Sequence, residues 1–301
     1  AGAAGQADGG VAVVLDGASS VQSSASLMDG VTVTADKMVL DGSINAGTQR
    51  VVFLPVTSTR PISLGGIDED NKLNLTSTER SKVTAGVVVV GGGTYTGGIT
   101  LEAPLTFPGA TTLSLIQGSG GTIVQQPGAG LAVAGLNADA GSVSLMDSGN
   151  SIGSISGAAT NTGGTGFNFV NTGPIVIGTV DGINGINAGP AVLTSVSLTS
   201  ASGSITQTQP LWTQALAATP GAGFDVVLGH ASNLLGNITV ATSGAGNIDI
   251  VNANAGSSVL DAVAAGTGKV SYKGGDMLQR VSVSSGSLLT GTSLGSAAVS
   301  V

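Results

Sequence analysis

The densest group of side chains that could do chemistry is the acidic run Asp68-Glu69-Asp70. Calcium prefers carboxylate oxygens, so this run is a weak candidate for a calcium site. The surrounding sequence lacks the spaced Asp/Asn ladder and trailing Glu of an EF-hand loop, and it lacks the glycine-rich nonapeptides of calcium-binding β-rolls. Acidic runs usually lie on the surface, so a solvated loop is the favoured interpretation. We expect no cofactor and no other metal site.

The residues that could support catalysis are few and scattered. His230 is the only histidine, so a triad or a two-histidine metal site cannot be assembled readily, and a loop histidine is the favoured interpretation. Beyond residue 102 the carboxylates are isolated along the chain. Two of them could meet across adjacent coils, for example Asp139 and Asp147, and two carboxylates are the minimum for glycoside hydrolysis. A polysaccharide-processing enzyme is therefore an alternative, but we predict no catalytic residues.

One aromatic residue also stands out. Trp212, in Gln209-Pro210-Leu211-Trp212, is the only tryptophan. It could stack on a sugar ring, although a buried or half-buried packing role is the favoured interpretation.

The charge distribution excludes several classes of partner. No lysine or arginine occurs between Lys82 and Lys269, the net charge is −8 and the isoelectric point is near 4.3. Nucleic acids are bound mainly through Lys and Arg, so we expect no nucleic-acid partner. No apolar run approaches the length of a membrane helix, so we also expect no membrane-spanning segment. With no cysteine, the fold needs neither disulfides nor thiolate chemistry.

The elements that must position these residues are short strands. Apolar clusters such as Leu113/Leu115, Val143/Leu145 and Ile248/Ile250 recur roughly every ten residues, with alternation inside each cluster. Turn-forming pairs such as Asp41-Gly42 and Asp181-Gly182 lie between them. An all-β fold follows from this pattern.

Three features favour a solenoid over a sandwich or barrel. The strand pattern continues along the whole chain, aromatic residues are only 3%, and the connections are short and rich in small residues. Stacked coils also favour an uncharged lateral surface, because like charges on neighbouring strands repel. We predict a right-handed parallel β-helix with about twenty residues per coil. Residues 1–301 would form one such module, a fragment or repeat unit of a longer chain.

The segment 37–82 departs from this pattern. It carries most of the basic residues, so we expect a locally charged, loop-decorated region within the solenoid. Thr76 and Glu79 have the spacing of a capping box, which satisfies backbone donors at a helix start. One short helical turn is therefore predicted near residues 77–83.

Several short segments, in their order along the chain, resemble the strand repeats of large filamentous-haemagglutinin-like bacterial exoproteins. The segments are residues 31–36, 38–40, 44–47, 51–55, 61–65, 73–76, 79–80, 83–86, 98–101, 113–115, 143–145, 150–153, 175–180 and 185–186. The resemblance implies a right-handed parallel β-helix in a long protein of the two-partner-secretion type, secreted to the surface of a Gram-negative bacterium. It also implies adhesion or a biofilm-matrix role, and it supplies no catalytic residues.

These observations predict an extracellular structural or adhesive β-helix module without catalysis. Its partner would be a host or neighbouring-cell surface or a glycan receptor. A self-assembling filament subunit that stacks end to end is the first alternative, and a polysaccharide-processing β-helix enzyme is the second.

Overall fold

The computed structural model describes residues 2–4, 13–22, 30–161, 164–189, 194–254, 258–275, 277–279, 283–284 and 288–293. The chain divides into two compact units, residues 1–152 and 153–301. Each unit consists of short parallel strands stacked coil upon coil.

The first unit holds one helix among its strands. Its elements are β1 (Gly2–Ala4), β2 (Val13–Leu15), β3 (Ser20–Gln22), β4 (Val31–Thr34), β5 (Met38–Leu40), β6 (Ser43–Asn45), β7 (Arg50–Leu54), β8 (Ile62–Leu64), β9 (Leu73–Leu75), α1 (Ser77–Arg80), β10 (Val83–Gly91), β11 (Ile99–Leu101), β12 (Leu105–Thr106), β13 (Gly109–Ile116), β14 (Thr122–Gln125), β15 (Leu131–Ala140) and β16 (Ser142–Leu145).

The first strand of the second unit starts two residues before the boundary. Its elements are β17 (Ser151–Ala159), β18 (Phe167–Asn171), β19 (Ile175–Ile177), β20 (Thr179–Val180), β21 (Ile183–Asn184), β22 (Ile186–Asn187), β23 (Ser195–Ser200), β24 (Ile205–Gln207), β25 (Leu211–Thr219), β26 (Val226–Leu228), β27 (Leu234–Thr242), β28 (Ile248–Val251), β29 (Ser258–Ala265), β30 (Lys269–Gly274), β31 (Met277–Gln279), β32 (Val283–Ser284) and β33 (Leu288–Ser293).

Pairing in the first unit sets aliphatic side chains in columns. Val88 in β10 pairs with Val51 in β7 on one side and with Leu113 in β13 on the other. Leu113 pairs in turn with Leu136 in β15. All four side chains are fully buried. Each coil therefore places its apolar residue directly against the equivalent residue of the next coil, which builds a narrow core.

The second unit repeats this arrangement with a regular step. Val226 in β26 pairs with Ile248 in β28, and Ile248 pairs with Val270 in β30, a spacing of 22 positions each time. Their side chains are at most 2% exposed. The parallel β-solenoid prediction is confirmed, with roughly 23 residues per turn rather than the expected twenty.

The helical turn predicted near residues 77–83 is confirmed as α1. Thr76 Oγ1 accepts a hydrogen bond from the Glu79 backbone nitrogen at 3.3 Å, and the Glu79 carboxylate accepts one from the Thr76 backbone nitrogen at 2.9 Å. This reciprocal pair is the capping box that the sequence predicts.

Two buried charged side chains connect α1 to other coils. Glu79 Oε1 accepts a hydrogen bond from the Leu40 backbone nitrogen at 3.1 Å. Arg80 Nη1 donates to the Thr106 carbonyl at 2.7 Å, and its guanidinium lies 5.5 Å from the centre of the Phe107 ring. The helix therefore links β5 to the segment around β12 through one buried and one partly buried hydrogen bond.

The two-residue turn Asp181-Gly182 forms a hairpin between β20 and β21, which pair antiparallel. Asp181 has φ of 52° and Gly182 has φ of 79°, the positive values that a tight hairpin turn requires. The turn predicted at this pair is confirmed. The hairpin lengthens its coil without interrupting the parallel stack of the second unit.

Candidate functional site

The acidic run lies in the loop between β8 and β9, and two of its three carboxylates, those of Glu69 and Asp70, are paired with lysines. The Asp70 carboxylate forms an ion pair with Lys37, and hydrogen bonding to Lys37 lowers the pKa of Asp70. Lys72 Nζ lies 3.3 Å from Glu69 Oε1 and 3.0 Å from Glu102 Oε1. The hydrogen bond to Glu102 is the main reason that the pKa of Lys72 is raised.

This arrangement differs from the calcium site considered from the sequence. Asp68 is exposed, whereas Glu69 and Asp70 are engaged by ammonium groups. Within the described part of the chain, no three histidine or acidic side chains form a group that could hold a metal ion. Glu102 is the member that the sequence did not indicate, because it joins the cluster only through the pairing of β8 with β11. The calcium site stays a prediction that titration can test.

The isolated histidine and one of the isolated carboxylates hold turns in place. His230 Nδ1 accepts a hydrogen bond from the Ser232 backbone nitrogen at 3.1 Å, in the turn after β26. Asp147 accepts one from the Gly128 backbone nitrogen at 2.5 Å and another from Gly149 at 2.8 Å. His230 therefore stabilises its own turn, and Asp147 stabilises its own turn and ties it to the turn at Gly128 on the neighbouring coil.

Among the isolated carboxylates beyond residue 102 that the structure describes, Asp139 is the one whose pKa is raised. Burial at the end of β15 raises its pKa above the ordinary value. A raised pKa alone does not define an acid–base site, because a catalytic pair needs a second group within reach of the same substrate atom.

A cavity of about 140 Å³ lies among β2 to β6 of the first unit. Aliphatic side chains form nearly all of its wall, with Thr32 as the single polar lining residue. It contains no ionisable group, so it offers no acid–base chemistry.

A groove of about 130 Å³ on the second unit has a different character. It is lined by Trp212, Thr213, Gln214, Leu234, Gly236 and Asn254. Trp212 in β25 pairs directly with Leu234 in β27, so the two apolar side chains stand side by side on neighbouring coils. They are 37% and 39% exposed, in contrast to the inward-facing Leu211 and Leu235, which are fully buried.

The indole of Trp212 is held in one orientation. Its Nε1–H donates a hydrogen bond to the Ser232 carbonyl at 2.9 Å. Because that carbonyl belongs to the turn before β27, the ring is fixed against the following coil rather than rotating freely.

Gly236 lines the groove at a point where the neighbouring strand approaches closely. A Cβ atom on Gly236 would lie 2.4 Å from the backbone oxygen of Gln214 and 3.1 Å from its side-chain Oε1. Only glycine therefore allows the Gln214 backbone carbonyl of the preceding coil to approach this position so closely. Asn254 borders the groove and donates from Nδ2 to the Leu235 carbonyl at 3.3 Å.

The sequence singled out Trp212 but none of its neighbours in the groove. Their proximity follows from the 22-position step between Trp212 and Leu234, which becomes visible only once the strands are paired. The half-buried packing role is correct in part, since the ring is fixed, yet more than a third of the side chain remains open to solvent.

Comparison with known proteins gives no relative: no family model, no curated protein and no solved structure matches the chain. The resemblance to filamentous-haemagglutinin-like exoproteins therefore stays a hypothesis. In the residues that the structure describes, no helix has the length and apolar character needed to cross a membrane.

Proposed function

We propose that this chain is an extracellular structural and adhesive module of a large secreted bacterial surface protein, and that it works without catalysis. The observation that carries the proposal is the in-register stacking of neutral side chains on the outside of the coils. In the second unit, Asn168, Ser197, Ala217 and Thr239 occupy equivalent positions in four successive paired strands. A column of this kind can be extended coil by coil without charge repulsion.

Hydrogen bonds along one edge of the second unit support a load-bearing role. Asp225 Oδ1 accepts hydrogen bonds from the Asn247 backbone nitrogen at 2.6 Å and from Asn247 Nδ2 at 3.1 Å. Asn247 Oδ1 accepts one from the Lys269 backbone nitrogen at 3.0 Å. These three residues recur every 22 positions and link successive coils side by side.

The absence of catalysis is part of the proposal. Neither of the two cavities described above is lined by a carboxylate or a histidine. Glycoside hydrolysis by the common route needs two carboxyl groups flanking the bond that breaks.

The adhesive role can be tested with beads coated with the purified chain. We expect coated beads to attach to bacterial or epithelial cell layers, and beads coated with serum albumin to remain unattached. Equal attachment of the two bead types would overturn the adhesive role.

Light scattering over a range of concentrations tests the filament alternative, because a molecular mass that grows with concentration would favour end-to-end stacking.

A further inference from the structure

Trp212 and Leu234 together form an exposed apolar strip, because their side chains stand next to each other on two neighbouring coils. The register places them side by side, and the hydrogen bond from the indole to Ser232 keeps the ring in place. A rigid, partly exposed aromatic ring loses little conformational freedom when a ligand covers it, which favours binding.

Polar groups surround this strip. The amide side chains of Gln214 and Asn254 and the backbone around Gly236 border the same groove. Amides both donate and accept hydrogen bonds, so they can match a ligand that presents several hydroxyl groups. Recognition sites of this kind combine an apolar surface with a few polar groups that fix orientation.

The charge of the groove restricts the ligand further. None of its lining residues is acidic or basic, and the chain has no lysine or arginine between Lys82 and Lys269. An anionic ligand would give up its hydration without gaining a cation as partner in the groove. An uncharged ligand carries no such desolvation cost.

We propose that this groove binds an uncharged sugar ring of a glycan, with the apolar face of the ring against Trp212 and its hydroxyls toward Gln214 and Asn254. The groove has a volume of about 130 Å³, and Trp212 and Leu234 line it with partly exposed side chains. This inference builds on the proposed adhesive function, since it supplies the class of receptor and the residues that contact it.

The single tryptophan gives a direct experiment. Trp212 is the only tryptophan, so all tryptophan fluorescence of the full chain comes from the groove. We would titrate the chain with soluble dextran, laminarin and galactomannan, and with alginate as the acidic comparison. We expect a saturable fluorescence change with at least one neutral polysaccharide and none with alginate.

Variants assign the binding to the groove. Affinity electrophoresis in gels that contain the responding polysaccharide should show at least a tenfold loss of affinity for Trp212→Ala, and a smaller loss for Trp212→Phe, which keeps an aromatic ring. Phe224→Ala is the matched control, because Phe224 is 42% exposed and does not line the groove. It should bind like the unmodified chain. Thermal melting of each variant shows whether it folds.

Three results would overturn the inference: no response to any neutral polysaccharide, stronger binding to alginate, or unchanged binding by a folded Trp212→Ala variant. Bead-attachment assays distinguish a failure of glycan binding in the groove from a failure of the proposed adhesive role. If beads coated with Trp212→Ala attach as well as beads with the unmodified chain, adhesion stands and the groove is not its receptor site. If the chain binds a neutral polysaccharide but coated beads do not attach, the groove stands and the adhesive role fails.

Discussion

Asn233 Oδ1 accepts a hydrogen bond from the backbone nitrogen of Leu211 on the preceding coil, at 2.9 Å. Asn233 Nδ2 donates to the Leu228 carbonyl at 3.0 Å, and its amide exchanges two hydrogen bonds with Gln207. The first unit holds the same arrangement, in which Asn150 bonds to Leu131, Leu145 and Gln125. A buried asparagine paired with a glutamine thus closes a corner in both units.

This arrangement predicts that Asn233→Ala is strongly destabilising. The substitution leaves the Leu211 N–H and the carbonyls of Leu228 and Val251 without their Asn233 partner. It should lower the free energy of unfolding by about 2–4 kcal/mol. Urea denaturation followed by circular dichroism measures the change. The control is Asn237→Ala on the exposed face of β27, which should change stability by less than about 0.5 kcal/mol. Equal effects of the two substitutions would show that the corner asparagine is not structurally important.

The buried carboxyl group of Glu79 should make the stability of the folded chain depend on pH. Burial raises the pKa of this carboxyl above its ordinary 4.5, even though Thr76 and Leu40 donate hydrogen bonds to it. The folded chain therefore holds the proton more tightly than the unfolded chain. The resulting stabilisation is complete below the unfolded pKa and is lost as pH rises through the folded pKa.

The substitution Glu79→Gln removes that titration. We expect the free energy of unfolding of the variant, relative to that of the unmodified chain, to increase as the pH rises through the raised pKa of Glu79. Asp68→Asn is the control, because Asp68 is exposed and makes the smallest contribution to the raised pKa of Glu79. A relative stability of Glu79→Gln that falls over the same rise in pH would contradict the assigned direction.

Because lysines pair with carboxylates of the β8–β9 loop, we expect calcium to leave the thermal stability of the protein unchanged. Lys37 and Lys72 already neutralise Asp70 and Glu69, so millimolar calcium chloride should leave the melting temperature unchanged relative to EDTA. Differential scanning fluorimetry is sufficient for the measurement. A calcium-dependent rise in melting temperature that Asp70→Asn abolishes would establish the calcium site instead.

The strands and the helical turn could be predicted because their signals are local. Alternation in Ile248-Asp249-Ile250 gives the inward residues of β28, and Thr76 with Glu79 gives the start of α1. The length of a coil could not be predicted, because it depends on insertions that carry no periodic signal. Val51 and Val88 pair although 37 positions separate them, since the β8–β9 loop and α1 lie in that coil.

The residues around the candidate sites were harder to anticipate than the fold. Trp212 was recognisable by its type, but Leu234 and Asn254 reach the groove only through the pairing of distant strands. No local pattern indicates that Arg80 is buried, yet it is 2% exposed and donates a hydrogen bond to the Thr106 carbonyl. Contacts of this kind depend on the exact register between coils, which alternation within one strand does not specify.

The register between neighbouring coils is therefore the property to test most directly. Because the chain has no cysteine, thiol-reactive labels attach only at cysteines that are introduced. Nitroxide labels would be attached to cysteines introduced at Ala217 and Thr239, which are paired in β25 and β27. Neighbouring strands lie about 4.8 Å apart, so the electron paramagnetic resonance spectrum should show strong dipolar broadening relative to the singly labelled chains.

The comparison pair is Ala217 and Val227, which are closer in sequence. Val227 lies in β26, which pairs with β24 and β28, so this pair should broaden far less. Strong broadening for residues 217 and 239 with weak broadening for 217 and 227 is the result that stacked parallel coils predict. The reverse order, typical of an antiparallel hairpin, would contradict the solenoid and the role proposed for it.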